Sequence, residues 1–244
     1  MHIKALLQAS LIEYPGHIAD VAYVGGCNFR CPYCHNVDLV LRPAQLPDLE
    51  PALLLHKLAA RRGFIDGLVI TGGEPTLQSD LPHFLASVRR LGLAVKLDTN
   101  GYQPDVLRAC LEQGLVDYVA MDVKSSFARY SAAAGVPLDT GRVRESIALL
   151  LASHIDYEFR TTVVPGLVEL DDVRSIVDVI SGARRYYLQA FRPAPTVGWG
   201  EAPPVGAPAP ELLRAMAALA AGRVAEVGLR GADAAPISFI GRTQ

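Results

Sequence analysis

The chain has 244 residues, half of them hydrophobic and a fifth charged, with a formal net charge of −2. That length carries one substantial core, and 1–244 reads as a single domain with its core over about 18–192. The charge balance argues against electrostatic binding of nucleic acid, and no apolar run reaches the ~18 residues of a membrane span. Lys4, Gln8, Ser10 and Glu13 interrupt the opening MHIKALLQASLIEYPG, which excludes a signal-peptide core and makes a cytoplasmic protein the expectation.

Along the chain, short runs rich in Val, Ile, Leu and Tyr alternate with helical patterns. Strands are expected at 18–24, 67–71, 93–99, 117–123, 156–164 and 186–191, each bounded by Gly, Pro, Asp or Ser. Helices fit between them. One runs from Pro51 to about Arg62 with Asp48 as its cap, one starts near Ser79 with Pro82 in its first turn, and one opens at Pro104 and stops at Gly114. Others fit 140–153, 170–181 and 210–222. The stretch 193–210 is too proline-rich for helix or central strand and reads as a long loop. A strand-like run at 224–229 follows. Six strand–helix repeats imply an α/β fold with parallel strands, either a doubly wound sheet or a partial (β/α)6 barrel. Both architectures gather ligands at the C-terminal ends of their strands. The unusual polar motifs fall there: GGCNFRCPYCHN, GGEP, DTNG and Asp122-Val123-Lys124 follow the first four strands in turn.

Three of the four cysteines, Cys27, Cys31 and Cys34, form C-x3-C-x2-C. Thiolates are the usual ligands of iron–sulfur clusters, and three of them on a cubane leave one iron open. Gly25 and Gly26 permit a tight turn before them. A Cys3His zinc site completed by His35 is the rival, although adjacent Cys34 and His35 are awkward corners of one tetrahedron. Cys110 falls in a helix and reads as a small buried apolar residue.

C-x3-C-x2-C with Tyr33 before the last cysteine resembles the signature of the radical S-adenosylmethionine (SAM) superfamily. The resemblance implies a partial TIM-like barrel and a [4Fe–4S] cluster on Cys27, Cys31 and Cys34, whose open iron takes SAM. Gly72-Gly73-Glu74-Pro75 resembles the motif that meets the SAM amino group, and Asp98-Thr99-Asn100-Gly101 resembles a stretch of the glycyl-radical-enzyme activases. With Asp122 and Lys124 it implies a polar patch about the SAM carboxylate and ribose, including a monovalent cation near Asp98 and Asp122 with Thr99 contributing. Asn100-Gly101 equally suits a type I′-like turn. Arg160 in FRTTVVPG is similar to an activase arginine that approaches SAM. Gln189 reads equally as a contact to adenine or substrate and as a core glutamine.

Within the activases, S-L-I-E-Y-P-G (10–16), the cysteine segment and LQAFRP (188–193) most resemble the activating proteins of anaerobic ribonucleoside-triphosphate reductase. That implies a glycyl radical enzyme as partner and flavodoxin or ferredoxin as reductant. A radical SAM enzyme acting on a small molecule, like 7-carboxy-7-deazaguanine synthase, is the enzymatic alternative. A zinc or iron–sulfur electron-carrier module is the non-enzymatic one.

Overall fold

The computed structural model describes residues 1–193 and 206–231. Most of the expected 193–210 loop and the final segment from 232 therefore lie outside the described residues. The chain packs as two compact units that interleave in sequence: 1–28, 36–120 and 153–156 form the first, and 29–35, 121–152 and 157–244 the second.

In the first unit β1 (Ile3–Ser10) runs antiparallel to β2 (Ala19–Val24). The short α1 (Val37–Leu41) and α2 (Pro51–Ala60) lead to β3 (Gly67–Gly72), parallel to β2. Then follow α3 (Leu81–Arg90), β4 (Ala94–Thr99), parallel to β3, and α4 (Pro104–Glu112). β5 (Tyr118–Asp122) begins in this unit and ends in the next. β2 to β5 are buried along most of their length, as parallel strands covered on both sides must be. Val21, Val69, Tyr118 and Ala120 cluster with Tyr14, which the 11–17 loop delivers to them. Pro51, Pro82 and Pro104 open their helices, where the missing N–H costs nothing.

The second unit carries α5 (Tyr130–Ala134), α6 (Thr140–Leu151), β6 (Asp156–Val163, apart from its first residue), α7 (Leu170–Val179), β7 (Arg185–Ala190), α8 (Pro210–Ala220) and β8 (Glu226–Arg230). β6, β7 and β8 are parallel neighbours. Tyr157 and Phe159 pack edge-on, and they, Tyr186, Val173, Ile176, Leu213 and Met216 are all buried. Asp172 in the first turn of α7 accepts from the Glu169 N–H at 2.9 Å and from Arg129 Nη1 at 2.7 Å, anchoring the segment after β5.

Eight strands stand among the described residues where six were expected. β1 escapes a sequence reading because its alternation is poor, and pairing with β2 makes it a strand. β8 is the strand-like run at 224–229. Asp48 does not cap α2: Glu50 holds that position, and Asp48 pairs instead with Lys4 Nζ at 2.7 Å. None of the helices described is long and apolar enough to cross a membrane.

Candidate active site

In register, Val24 at the end of β2 lies opposite Gly72 at the end of β3. The cysteine segment and GGEP therefore leave the sheet at one level. The Gly73 N–H donates to Val24 O and the Glu74 N–H to Gly26 O, each at 2.8 Å. This approach is why both residues are glycine. A Cβ on Gly73 would stand 1.9 Å from Gly26 O, and one on Gly72, whose φ is +114°, would stand 2.5 Å from Val24 N. Asn36 Nδ2 caps Gly72 O at 3.0 Å, and Gln78 Nε2 reaches Gly25 O at 3.0 Å.

Glu74 is buried, and its carboxylate is occupied from within the unit. Oε1 accepts from the Thr76 N–H at 3.1 Å, from the Thr76 hydroxyl and from Thr99 Oγ1 at 2.7 Å, while Oε2 accepts from the Asn100 N–H at 2.7 Å. Burial pushes its pKa up, against these hydrogen bonds. Glu74 thus braces GGEP against DTNG. Asn100 extends the brace to the first cysteine: its Nδ2 donates to Asn28 Oδ1 at 2.8 Å and lies 3.9 Å from Cys27 Sγ. Its Oδ1 accepts from the Tyr102 N–H at 3.0 Å. Of the pair Asn100-Gly101, glycine alone has positive φ, so the turn is not of type I′. Asp98 is nearly buried, with Lys96 Nζ 2.8 Å from Oδ1 and Thr71 Oγ1 3.4 Å from Oδ2.

The second unit holds the other polar group. Asp122, at the end of β5, pairs with Lys124 Nζ and with Arg160 Nε of β6, each at 2.8 Å. Burial would raise the Asp122 pKa, but Arg160 and Lys124 together hold it well below the usual carboxylate range. Burial lowers the Lys124 pKa, and the surrounding Asp122, Tyr33 and Cys31 more than reverse it. Cys31 is buried, which pushes its thiol up while Lys124 pulls it down. The Cys34 N–H donates to Cys31 O at 3.0 Å, closing a turn between the last two cysteines. The Tyr33 ring packs edge-on against Phe191, and its buried hydroxyl has no hydrogen-bond partner among the described residues. His35, the fourth zinc ligand of the rival reading, turns its Nε2 to Arg192 O at 3.0 Å. Gln189 lies half-buried near the end of β7, level with Thr162 of β6 and Arg230 of β8.

The family model of the radical SAM superfamily matches residues 21–180. The chain belongs to that superfamily. It is 32% identical over 196 residues to a candidate glycyl-radical enzyme activating enzyme of Methanocaldococcus jannaschii, covering 78% of this chain and 80% of that one. It is 27% identical over 209 residues to a pyruvate formate-lyase-activating enzyme of Clostridium pasteurianum, covering 80% and 83%. Among solved structures, TYW1 with a lysine-pyruvate adduct bound superposes with a TM-score of 0.59 at 14% identity, covering 88% of this chain and 76% of that one. That likeness shows the fold: the α/β class expected from the sequence is the radical SAM fold.

As a radical SAM enzyme, the chain has a [4Fe–4S] cluster and SAM as its cofactors. Its residues suit them. All four cysteines are thiols outside any disulfide. Gly72 and Gly73 leave no room for a side chain, Gly26 turns the chain at a φ of +87°, and charged side chains stand at successive strand ends. Cys110 is buried in α4 and apart from this chemistry.

Three participants were missed in the sequence. Asn28 is one of the variable positions inside C-x3-C. Lys96 has a visible signal, a lysine inside an apolar strand run two residues before Asp98 and so on its face. Arg230 grips buried Glu158 with two bonds of 2.8 and 2.9 Å and stacks over the Tyr187 ring, so the C-terminal run supports the strand face beside Gln189.

Proposed function

We propose that this radical SAM enzyme generates a glycyl radical on a partner enzyme, and that the partner is the anaerobic ribonucleoside-triphosphate reductase. The observation that carries the activase reading is the DTNG stretch, joined through Asn100 to Cys27 and through Glu74 to GGEP. Similarity to activating enzymes over about four-fifths of the chain supports it. S-L-I-E-Y-P-G and LQAFRP favour the reductase as partner, with flavodoxin or ferredoxin as electron donor.

When bound, the reduced cluster and SAM supply a 5′-deoxyadenosyl radical able to take hydrogen from a glycine α-carbon. The protein's task is to hold, orient and exclude water. Cys27, Cys31 and Cys34 are the ligands of the cluster. Coordination takes thiolates, so Cys27, Cys31 and Cys34 would hold the cluster deprotonated, and Lys124 favours that form at buried Cys31. Gly72 and Gly73 let the backbone close on the ligand. Thr99 and Asn100 are fixed by Glu74, and Asp122, Lys124 and Arg160 present fixed charges toward the SAM amino acid and ribose. Tyr33 and Gln189 complete the ligand-facing set; the unpartnered Tyr33 hydroxyl is a donor available to a ligand.

The test is anaerobic reconstitution with iron and sulfide, followed by reduction with dithionite in the presence of SAM. 5′-Deoxyadenosine is expected from the parent and absent from Cys27→Ala, Cys31→Ala and Cys34→Ala. A parent that forms none refutes the assignment of the site.

A further inference from the structure

Lys96 is almost wholly buried in the middle of β4, opposite Val69 of β3. Its Nζ lies 2.8 Å from Asp98 Oδ1, donates to Glu13 O at 2.6 Å and stands 5.9 Å from the centre of the Tyr118 ring. A buried ammonium persists only with such partners, because burial strips it of water. Side chains two apart on a strand share a face, so Lys96 reaches along its own strand to the carboxylate at the strand end. Glu13 belongs to the loop that inserts Tyr14 into the core.

We propose that Lys96 is a positioning residue for Asp98: its ammonium is the built-in counter-charge of that carboxylate, so SAM binding by this chain needs no monovalent metal cation there. The inference rests on the reading of Asp98 as part of the ligand site. A sodium or potassium ion bound at Oδ1 would share that oxygen with the ammonium 2.8 Å from it, and like charges about 4–5 Å apart in a poorly solvated site repel. Thr71 Oγ1 lies 3.4 Å from the other carboxylate oxygen, so strand neighbours flank the carboxylate on both sides. Through the Glu13 carbonyl, the S-L-I-E-Y-P-G loop fixes the ammonium in turn.

The experiment measures SAM binding to the reconstituted, unreduced protein by anaerobic equilibrium dialysis. Buffers of equal ionic strength contain potassium, sodium or tetramethylammonium, the last too large to take a metal's place. The parent is expected to bind equally in all three. Lys96→Met should bind on the order of tenfold more weakly in tetramethylammonium and recover in potassium or sodium, which can enter the vacated place. Lys96→Met should also unfold at lower temperature than Lys96→Met/Asp98→Asn, in which no carboxylate is left unpaired. A parent that binds SAM only with potassium or sodium overturns the inference without need of any variant. So does a Lys96→Met protein weakened equally in every salt, which would make the lysine structural alone. A parent that binds no SAM in any buffer defeats the reading of the site itself, a distinguishable result.

Discussion

Glu74→Gln isolates the brace between GGEP and DTNG. The carboxylate accepts three hydrogen bonds on Oε1 and one on Oε2, all from donors. An amide has one acceptor oxygen. If that oxygen keeps the Thr76 and Thr99 bonds, the NH2 faces the Asn100 N–H, and two buried donors go unsatisfied at about 1–3 kcal/mol each. The substitution also removes a buried charge whose cost is visible in the raised Glu74 pKa. The net loss is therefore about 2 kcal/mol, or about 4–8 °C in melting temperature for a chain of this size. Circular dichroism of the anaerobic, metal-free protein measures it. The pH dependence has a definite sign. A carboxyl whose pKa is raised on folding contributes stability that is fully present below the ordinary glutamate range and diminishes as pH rises to the raised value. The gap between parent and variant should thus widen on acidification. A variant that melts within about 1 °C of the parent, with a gap independent of pH, would refute the brace.

The glycine cradle predicts a contrast: Gly73→Ala should cost at least about 3 kcal/mol and abolish cluster assembly, since backbone meets backbone. Gly182→Ala, at a φ of +84° but facing open space, should cost only about 1–2 kcal/mol in thermal unfolding. Cys110→Ala should keep full iron and sulfide content and the visible absorbance of the cluster, because Cys110 packs as an apolar residue in α4. Arg160→Met should weaken SAM binding on the order of tenfold in equilibrium dialysis, as expected for loss of one charge-assisted contact. Asp122 has its pKa lowered on folding, so its contribution is present above the ordinary aspartate range and lost only as pH falls below it. Removing Arg160 should move that loss to higher pH in acid unfolding curves.

Much of this was legible in the sequence for identifiable reasons. Strands β2 to β7 announce themselves through Val, Ile and Tyr runs stopped by Gly, Pro or Asp, and proline marks four helix starts within their first two residues. The cysteine spacing and the motifs after successive strands were local patterns, so they could be read locally. Features made by pairing could not. β1 is a strand because β2 lies beside it, and Asp48 fails as a cap because Lys4, distant in sequence, claims it. The brace through Glu74 escaped a sequence reading for the same reason. The donors that occupy its carboxylate come from Thr76, Thr99 and Asn100, and the fold alone brings the last two beside it. Lys96 was passed over because a lysine in a strand usually faces water, and only the fold buries it.

Radical formation on a partner glycine is read by electron paramagnetic resonance of the anaerobic ribonucleotide reductase from the same organism. The reductase is incubated with reconstituted enzyme, reductant and SAM. The expected signal is a doublet that collapses to a singlet when the partner's glycine is deuterated at its α-carbon, and that is absent with Cys31→Ala. Formation of 5′-deoxyadenosine with no radical on the reductase would contradict it.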